Sequence, residues 1–212
     1  MSLVSPWMEG GTVKQYIENN PAKDRYKLCL GVAKAVAFMH IQNMVHGDIK
    51  SSNVMIDREG VVKLNDFGNV RSEWYRILFT PTNMGRSKPP LRWSAPELFA
   101  VSNGLPNLET DVYGLGMTLL EIITGDIPFG SDSTDWSLML KMSEGNLKPE
   151  RPTTFPTFEQ CEEDPLWKIL VATWDYEAGK RPSATRVRDD LAAMRQQNTQ
   201  IVSPGLASGS FP

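Results

Sequence analysis

The sequence predicts an α+β fold that is mainly α-helical. Apolar residues recur at three- and four-residue spacing over several stretches, which is the period of an amphipathic helix. Between Asp111 and Gly125 the only charged residue is Glu121, which predicts a helix that is buried on all sides. Two short β-branched runs, 54–56 and 61–64, flank a polar turn that contains glycine and predict a small β-hairpin.

Length and composition fit one globular domain. The chain has 212 residues, and its hydrophobic content of 41% is enough to form a sizeable core. With 22 basic and 25 acidic residues its net charge is −3, so we expect no nucleic-acid partner and no membrane partner. We find neither a long apolar run nor a basic segment followed by an apolar one, and we expect a cytoplasmic location. Cys29 and Cys161 lie far apart without metal-ligand spacing and are expected to be reduced, buried thiols.

The first half of the chain is predicted to form a connector and two helices. A strand begins at 3–4, and residues 5–11 form a connector because proline and paired glycines interrupt any regular element. A short helix is predicted over 12–19 and a longer one over about 22–43. His40, near the end of the longer helix, is expected to be a packed or half-exposed histidine and not a ligand.

The second half is predicted to be helical. Asp111 suits the N-cap of the buried helix, and Gly125 suits the position just past its end. Ser183 suits the N-cap of the last helix, and residues 197–212 are rich in Ser, Gly and Pro and predict a disordered tail. The remaining helices are predicted over 136–145, 166–175 and 184–196.

Oxygen-bearing side chains are predicted to meet at the ends of the hairpin. The run 46–53 (HGDIKSSN) precedes the hairpin, and 66–68 (DFG) follows it. Because a hairpin brings its two ends together, Asp48, Asn53 and Asp66 should converge on one small volume. Carboxylate and amide oxygens suit Mg²⁺, and the nearby charge of Lys50 suits a phosphate.

In these motifs the chain resembles protein kinases. The run 46–53 matches the catalytic loop His-x-Asp-(x)4-Asn, 66–68 matches the metal-binding Asp-Phe-Gly, and 94–97 (SAPE) matches the Ala-Pro-Glu that closes the activation segment. One of these signatures is weak alone, whereas three in order are specific. The resemblance covers nearly the whole chain and implies a partial kinase domain over residues 1–196, made of the hinge and the helical large lobe. The run 92–97 is similar to the tyrosine-kinase-like group.

The resemblance also implies roles for the site residues. Asp48 matches the catalytic base, and Asn53 and Asp66 match the Mg²⁺ ligands. Lys50 matches the lysine that contacts the transferred phosphate in enzymes acting on Ser and Thr. The alternative for Asp48 and Asn53 is that they are ordinary turn residues.

The connector at 5–11 matches the hinge that binds ATP. The Pro6 carbonyl and the Met8 amide and carbonyl match the groups that hydrogen-bond adenine. Ser5 matches the residue that guards the rear pocket, and Met55 matches the apolar residue under the ring. The alternative for this connector is a plain surface loop.

Other matched positions are structural. Asp111 matches the residue that holds the catalytic-loop backbone, and Arg181 matches a buried arginine that pairs with Glu97. His46 matches a histidine that packs on the residue matching Phe67.

The chain departs from the family at two places. Gly47 stands where most kinases have an arginine that binds a phosphorylated activation segment, so control through that contact should be weak. Pro89 and Pro90 stand where a Gly-Thr pair usually helps to hold the catalytic aspartate, which changes the backbone of the substrate platform. The activation segment offers hydroxyls that we do not rank as phosphorylation sites: Ser72, Tyr75, Thr80, Thr82 and Ser87.

The resemblance implies a transferase that moves the γ-phosphate of ATP, with Mg²⁺, to Ser and Thr hydroxyls of protein substrates. The Gly-rich loop and strand lysine of the small lobe are not found before the hinge, so we expect this chain alone to transfer little phosphate and to expose an apolar, association-prone upper face. Two alternatives are a non-catalytic half-kinase that binds proteins and a scaffold that borrows a small lobe. The joint presence of Asp48, Lys50, Asn53 and Asp66 favours a kinase.

Overall fold

The computed structural model describes residues 5–71, 90–99, 104–145, 147–153, 155 and 164–201. Within them lie six α-helices, several 3-10 turns and one two-stranded sheet, so the mainly helical α+β prediction is confirmed. None of the described helices is long and apolar enough to cross a membrane. Several predictions fall outside the described residues: the strand at 3–4, the hydroxyls from Ser72 to Ser87, Pro89, Cys161 and the tail at 202–212.

Side-chain caps set the starts of the first two helices. Helix α1 is Val13–Asn19, and Thr12 caps it through a reciprocal pair in which Gln15 N donates to Thr12 Oγ1 at 3.3 Å and Thr12 N donates to Gln15 Oε1 at 3.0 Å. Helix α2 is Arg25–Ile41, and Asp24 caps it by accepting from Lys27 N at 3.0 Å. Helix α2 therefore starts about three residues later than the apolar pattern predicted, because the cap decides where the first turn begins.

The predicted hairpin is present. Strand β1, Val54–Ile56, pairs antiparallel with strand β2, Val62–Leu64, and Met55 lies opposite Lys63. Asp57 Oδ1 organises the turn by accepting from the amides of Glu59 at 3.1 Å and Val61 at 2.8 Å. The first and last residues of β1 are buried and Met55 between them is half-buried, so Met55 points to the opposite face of the strand from the core.

Helix α3, Leu108–Thr124, is the buried helix that the sequence predicts, but it starts earlier than expected. Its residues 110–123 are all buried. Asn107 is its N-cap and accepts from Thr110 N at 2.8 Å, so the prediction that Asp111 caps the helix is wrong. Gly125 ends it as predicted, with φ 84° and its N–H donating to Glu121 O at 2.8 Å, a left-handed conformation that glycine adopts without strain.

Three further helices complete the described chain. They are α4, Asp135–Ser143; α5, Pro165–Thr173; and α6, Ala184–Ile201. Asp164 caps α5, and Ser183 caps α6 as predicted, with its Oγ accepting from Arg186 N at 3.1 Å. Helix α6 ends at Ile201, so residues 197–201, which the sequence assigns to a disordered tail, belong to the helix.

One large hydrophobic core joins most of the elements. Helix α2 packs against α6, α3 and β2, and α3 packs against α5. A second, smaller cluster of Leu91, Leu138, Met142 and Leu147 attaches α4 to the 3-10 turn Leu91–Trp93.

The predicted ion pair of Arg181 with Glu97 is present but is buried only on the arginine side, because 32% of the Glu97 side chain is exposed. Arg181 donates to both carboxylate oxygens of Glu97, at 2.6 and 2.9 Å, and its side chain is 0% exposed. It also donates to the carbonyls of Glu109 at 3.0 Å and Asp175 at 2.8 Å, and its guanidinium lies 5.1 Å from the centre of the Tyr113 ring. The pair therefore ties the end of the activation segment to α3 and to the start of α6.

Candidate active site

The catalytic-loop side chains converge on Asp48. Lys50 Nζ donates to Asp48 Oδ2 at 2.8 Å, and Asn53 Nδ2 donates to the same oxygen at 3.0 Å and to the Asp48 carbonyl at 2.8 Å. The 3-10 turn Ser51–Asn53 makes this possible because it turns Asn53 back toward Asp48. Asp48 thus carries two donors on one carboxylate oxygen.

The second carboxylate oxygen of Asp48 is the chemically distinctive atom. Asp48 Oδ1 is buried, and no group in the described ranges donates a hydrogen bond to it. Buried polar atoms in folded proteins are nearly always paired. An ionised carboxylate oxygen held in this way can accept a proton or a hydrogen bond from a hydroxyl placed against it.

The hairpin brings the backbone just before Asp66 next to Asn53. Asn65 N donates to the Asn53 carbonyl at 2.9 Å, so Asp66 follows directly after a residue that is hydrogen-bonded to Asn53. Asp66 has φ 62° and ψ 64°, a left-handed conformation that costs a non-glycine residue about 1–2 kcal/mol. Such conformations cluster at functional sites. The Asp66 side chain is exposed, and its closest described contact is a long one of 3.4 Å from Gly68 N to Oδ1.

The donor set at Asn53 and Asp66 fits Mg²⁺. Both hydrogen bonds described for Asn53 use its amide nitrogen and leave its amide oxygen without a described hydrogen bond. The Asp66 carboxylate adds hard oxygen atoms. The described ranges hold no group of three or more His, Cys, Asp or Glu side chains suited to a metal. Mg²⁺ is usually held by one or two protein ligands together with water and phosphate.

Asp111 fixes the backbone at the start of the catalytic loop. It is 3% exposed and accepts from His46 N at 2.7 Å, Gly47 N at 2.8 Å and the His40 ring at 3.1 Å. The supporting role implied by the resemblance is therefore present, and His40 is packed as predicted.

Both ring nitrogens of His46 bind backbone. Nε2 donates to Asn65 O at 3.1 Å, and Nδ1 accepts from Asp48 N at 3.3 Å, which is the pattern of a neutral imidazole. The His46 and Phe67 rings also lie 5.6 Å apart, the expected packing contact. His46 therefore connects the catalytic loop to the Asp-Phe-Gly segment structurally.

Position 47, where most of the family has an arginine, holds a glycine in a left-handed conformation. Gly47 has φ 79°, and a Cβ added there would lie 3.2 Å from Asn69 O and 3.4 Å from Pro106 Cβ. A side chain at this position is thus disfavoured both by the backbone and by its neighbours.

The hinge segment is attached to β1. Gly10 N donates to Ile56 O at 3.0 Å and Ile56 N donates to Gly11 O at 2.9 Å, while Gly11 N donates to Met8 O at 3.0 Å. The Met8 carbonyl therefore already accepts one hydrogen bond, within a turn. Pro6 is exposed, and Met8 and Met55 are half-buried. Met55 also forms an antiparallel bridge with Thr12, the residue that follows the hinge segment.

A buried network beside the loop was not predicted. Glu121, 4% exposed, accepts from Ser51 Oγ at 2.6 Å and from Trp93 Nε1 at 3.0 Å. Burial raises the pKa of Glu121, and these two hydrogen bonds oppose that shift. The network ties the catalytic loop to the segment after Pro90. The sequence signal was the single charged residue in an otherwise apolar helix.

Comparison with known proteins agrees with these motifs. The chain is 32% identical to the discoidin domain-containing receptor tyrosine kinase B of Caenorhabditis elegans, over 93% of this chain and 25% of the relative. It is 24% identical to the serine/threonine-protein kinase STY46 of Arabidopsis thaliana, over 100% and 36% respectively. It is 28% identical to a probable serine/threonine-protein kinase of Dictyostelium discoideum, over 90% and 14%. The chain thus spans about a third or less of the length of each of these relatives.

The family model described as protein tyrosine and serine/threonine kinase matches residues 1–191, nearly the whole chain. Members of this family in general use ATP and Mg²⁺ and act on protein substrates. The chain therefore belongs to the protein tyrosine and serine/threonine kinase family.

Proposed function

We propose that the protein transfers the γ-phosphate of ATP to Ser and Thr hydroxyls of protein substrates. The observation that carries this proposal is the arrangement at Asp48. One of its carboxylate oxygens is bound by Lys50 and Asn53, and the other is buried and accepts no hydrogen bond from any described residue. A base with one oxygen held in place and the other without a described partner suits the orientation of an acceptor hydroxyl.

Each side chain has a role in this proposal. Asp48 Oδ1 orients the acceptor hydroxyl and takes up its proton, while Lys50 contacts the phosphate being transferred. The Asn53 amide oxygen and the Asp66 carboxylate hold Mg²⁺, which neutralises charge on the ATP phosphates when bound. On the hinge, the Pro6 carbonyl and the Met8 amide hydrogen-bond adenine, and Met55 contacts the ring. The Met8 carbonyl has a second lone pair beside the one used by Gly11 N.

The identity of the acceptor rests on Lys50, and a tyrosine acceptor is the second candidate. Lys50 lies against Asp48, where it can contact the transferred phosphate, and by resemblance a lysine there is typical of Ser/Thr enzymes. The second candidate is favoured by the relative with 32% identity, which is named a receptor tyrosine kinase.

The primary test is nucleotide binding, because the proposed transfer requires Mg·ATP to bind first. We expect ATP with Mg²⁺ to raise the melting temperature of the 212-residue chain more than ATP with EDTA does. Asp66→Asn should weaken Mg·ATP binding about tenfold or more, equivalent to about 1.4 kcal/mol. The matched control is Asp190→Asn on helix α6, whose carboxylate forms a surface pair with Arg186.

Two outcomes would contradict the proposal. One is nucleotide binding that does not depend on Mg²⁺ or on Asp66. The other is no nucleotide binding at all, which would favour the non-catalytic binding module.

The acceptor is tested by phosphate transfer from labelled ATP to a Ser/Thr-rich protein and to a Glu–Tyr copolymer. We expect the Ser/Thr-rich protein to be labelled by the wild type and not by the Asp48→Asn variant. Transfer to the copolymer alone would replace the Ser/Thr proposal with the tyrosine one.

A further inference from the structure

The segment 90–94 forms part of the wall beside the proposed catalytic base. A small pocket next to Asp48 is lined by Pro90, Trp93 and Ser94 together with residues of the catalytic loop and helix α3. Ser94 Oγ donates to Pro90 O at 2.8 Å and Trp93 N donates to Pro90 O at 3.1 Å, so the segment is a closed turn. A displacement of this turn moves the wall against which an acceptor side chain would be presented.

Arg92 fastens this turn to the loop between α3 and α4. Its Nη1 donates to the carbonyls of Pro128 at 2.7 Å and Gly130 at 2.8 Å, and its Nη2 donates to Ser133 O at 2.5 Å. Three carbonyls from one loop therefore converge on one guanidinium. The planar fork of arginine can bind several acceptors at fixed angles, whereas lysine offers a single nitrogen.

Trp93 connects the turn to a different part of the molecule. Trp93 donates to Glu121, which also accepts from Ser51 of the catalytic loop. Trp93 thus holds the turn to the catalytic loop and α3, and Arg92 holds it to the 128–133 loop. None of the three contacts of Arg92 involves the hinge or the catalytic loop, so the guanidinium is separate from the predicted nucleotide contacts.

We propose that Arg92 is a positioning residue for the protein acceptor. It fixes the 90–94 turn against the 128–133 loop and so sets the wall beside Asp48 that the acceptor side chain meets. This inference rests on the proposed function. It requires that loss of the three-carbonyl contact weakens acceptor binding while ATP binding is preserved.

The first measurement is hydrogen–deuterium exchange by mass spectrometry on the 212-residue chain and its Arg92→Lys variant. Lysine keeps the charge but cannot bridge three carbonyls. We expect amide exchange in 90–99 and 128–133 to become about tenfold faster. Local opening of these segments breaks about one to two fewer hydrogen bonds in the variant than in the wild type. Arg186→Lys, at an exposed position on helix α6, is the matched control and should change neither segment.

The second measurement distinguishes an effect on acceptor binding from an effect on nucleotide binding. We expect the Kd for the Ser/Thr-rich acceptor protein, measured by direct binding in the presence of Mg·ATP, to rise about tenfold in Arg92→Lys, while the Kd for Mg·ATP stays within about twofold. A merely structural arginine would lower both affinities together.

Three results would overturn the inference: unchanged exchange in both segments, faster exchange spread over the whole lobe, or a parallel loss of ATP and acceptor affinity. A wild-type chain that binds no Mg·ATP contradicts the proposed function instead. The exchange comparison then decides alone whether Arg92 holds the turn, and unchanged exchange still overturns the inference.

Discussion

Asp111 and Glu121 of helix α3 are buried to a similar extent, but their carboxylates accept hydrogen bonds from different kinds of donor. Asp111 accepts from two backbone amides and from the His40 ring, and Glu121 accepts from a hydroxyl and an indole N–H. Each carboxylate holds a different part of the catalytic loop, Asp111 at residues 46–47 and Glu121 at Ser51. Because both donors to Glu121 are neutral, its charged form is only partly stabilised, and burial raises its pKa.

The raised pKa of Glu121 predicts a pH-dependent contribution to stability. The folded protein binds the Glu121 proton more tightly than the unfolded chain does, so this stabilisation is complete below the ordinary pKa of 4.5 and is lost as pH rises through the folded pKa. We expect the free energy of unfolding of the wild type, relative to Glu121→Gln, to fall over that window. Urea titrations of both proteins at a series of pH values measure the difference.

Glu59→Gln, on the exposed hairpin turn, is the control for removing one carboxylate. A wild-type curve that runs parallel to that of Glu121→Gln, or rises relative to it, would contradict the assignment.

At the scale of elements, the packing of helix α3 on α5 depends on how closely the α3 backbone at Gly116 approaches the end of α5. A Cβ added at Gly116 would lie 1.8 Å from Thr173 Oγ1 and 2.6 Å from Trp174 Nε1. Contacts this short do not occur, so the two elements would have to separate. The glycine therefore permits the interface, although it is a poor helix former.

We predict that Gly116→Ala destabilises the protein by about 1–3 kcal/mol through overpacking. Helix propensity alone would predict a gain of up to about 1 kcal/mol, so the sign of the change tests the packing argument. Urea denaturation provides the measurement. Gly179→Ala is the control because nothing lies within 4 Å of the added Cβ, and it should be close to neutral. A stabilised Gly116→Ala protein would show that the interface has room for a methyl group.

At the scale of the whole molecule, the described chain has one large core and one small cluster. The large core joins α2, α3, α5 and α6, whereas α4 is attached through the cluster of Leu91, Leu138, Met142 and Leu147. Three large apolar side chains of α4 are exposed: Trp136 by 76%, Met139 by 46% and Leu140 by 51%. Helix α4 therefore buries little apolar area.

We predict that α4 opens at a lower free energy than α3 does. Native-state hydrogen exchange should show α4 amides exchanging through a local opening, and α3 amides exchanging only with global unfolding, because opening free energy follows the buried contacts of each unit. Equal protection of the two helices in low denaturant would contradict this prediction. Helix α6, which packs on α2 in the large core, is the internal control and should behave like α3.

The sequence by itself was sufficient for the helices, the hairpin and the order of the site motifs. Hydrophobic periodicity and turn residues are local signals, and they located β1, β2 and the end of α3 at Gly125. The convergence of Asp48 and Asn53 was also predicted, because a short loop and a hairpin fix those distances locally. Errors of a few residues occurred at helix starts, where Asn107 and Asp24 decide the first turn.

Only the tertiary structure determined which contacts form between distant segments of the chain. The contacts of Asp111 with residues 46–47, of Glu121 with Ser51 and Trp93, and of Arg92 with the 128–133 loop join parts of the chain that no sequence period relates. The positive φ at Gly47 and Asp66 likewise depends on how the loops close. Local patterns report which residues can form a helix or a strand, whereas the partner of a buried charge depends on which elements pack together, and that is settled only when the whole core forms.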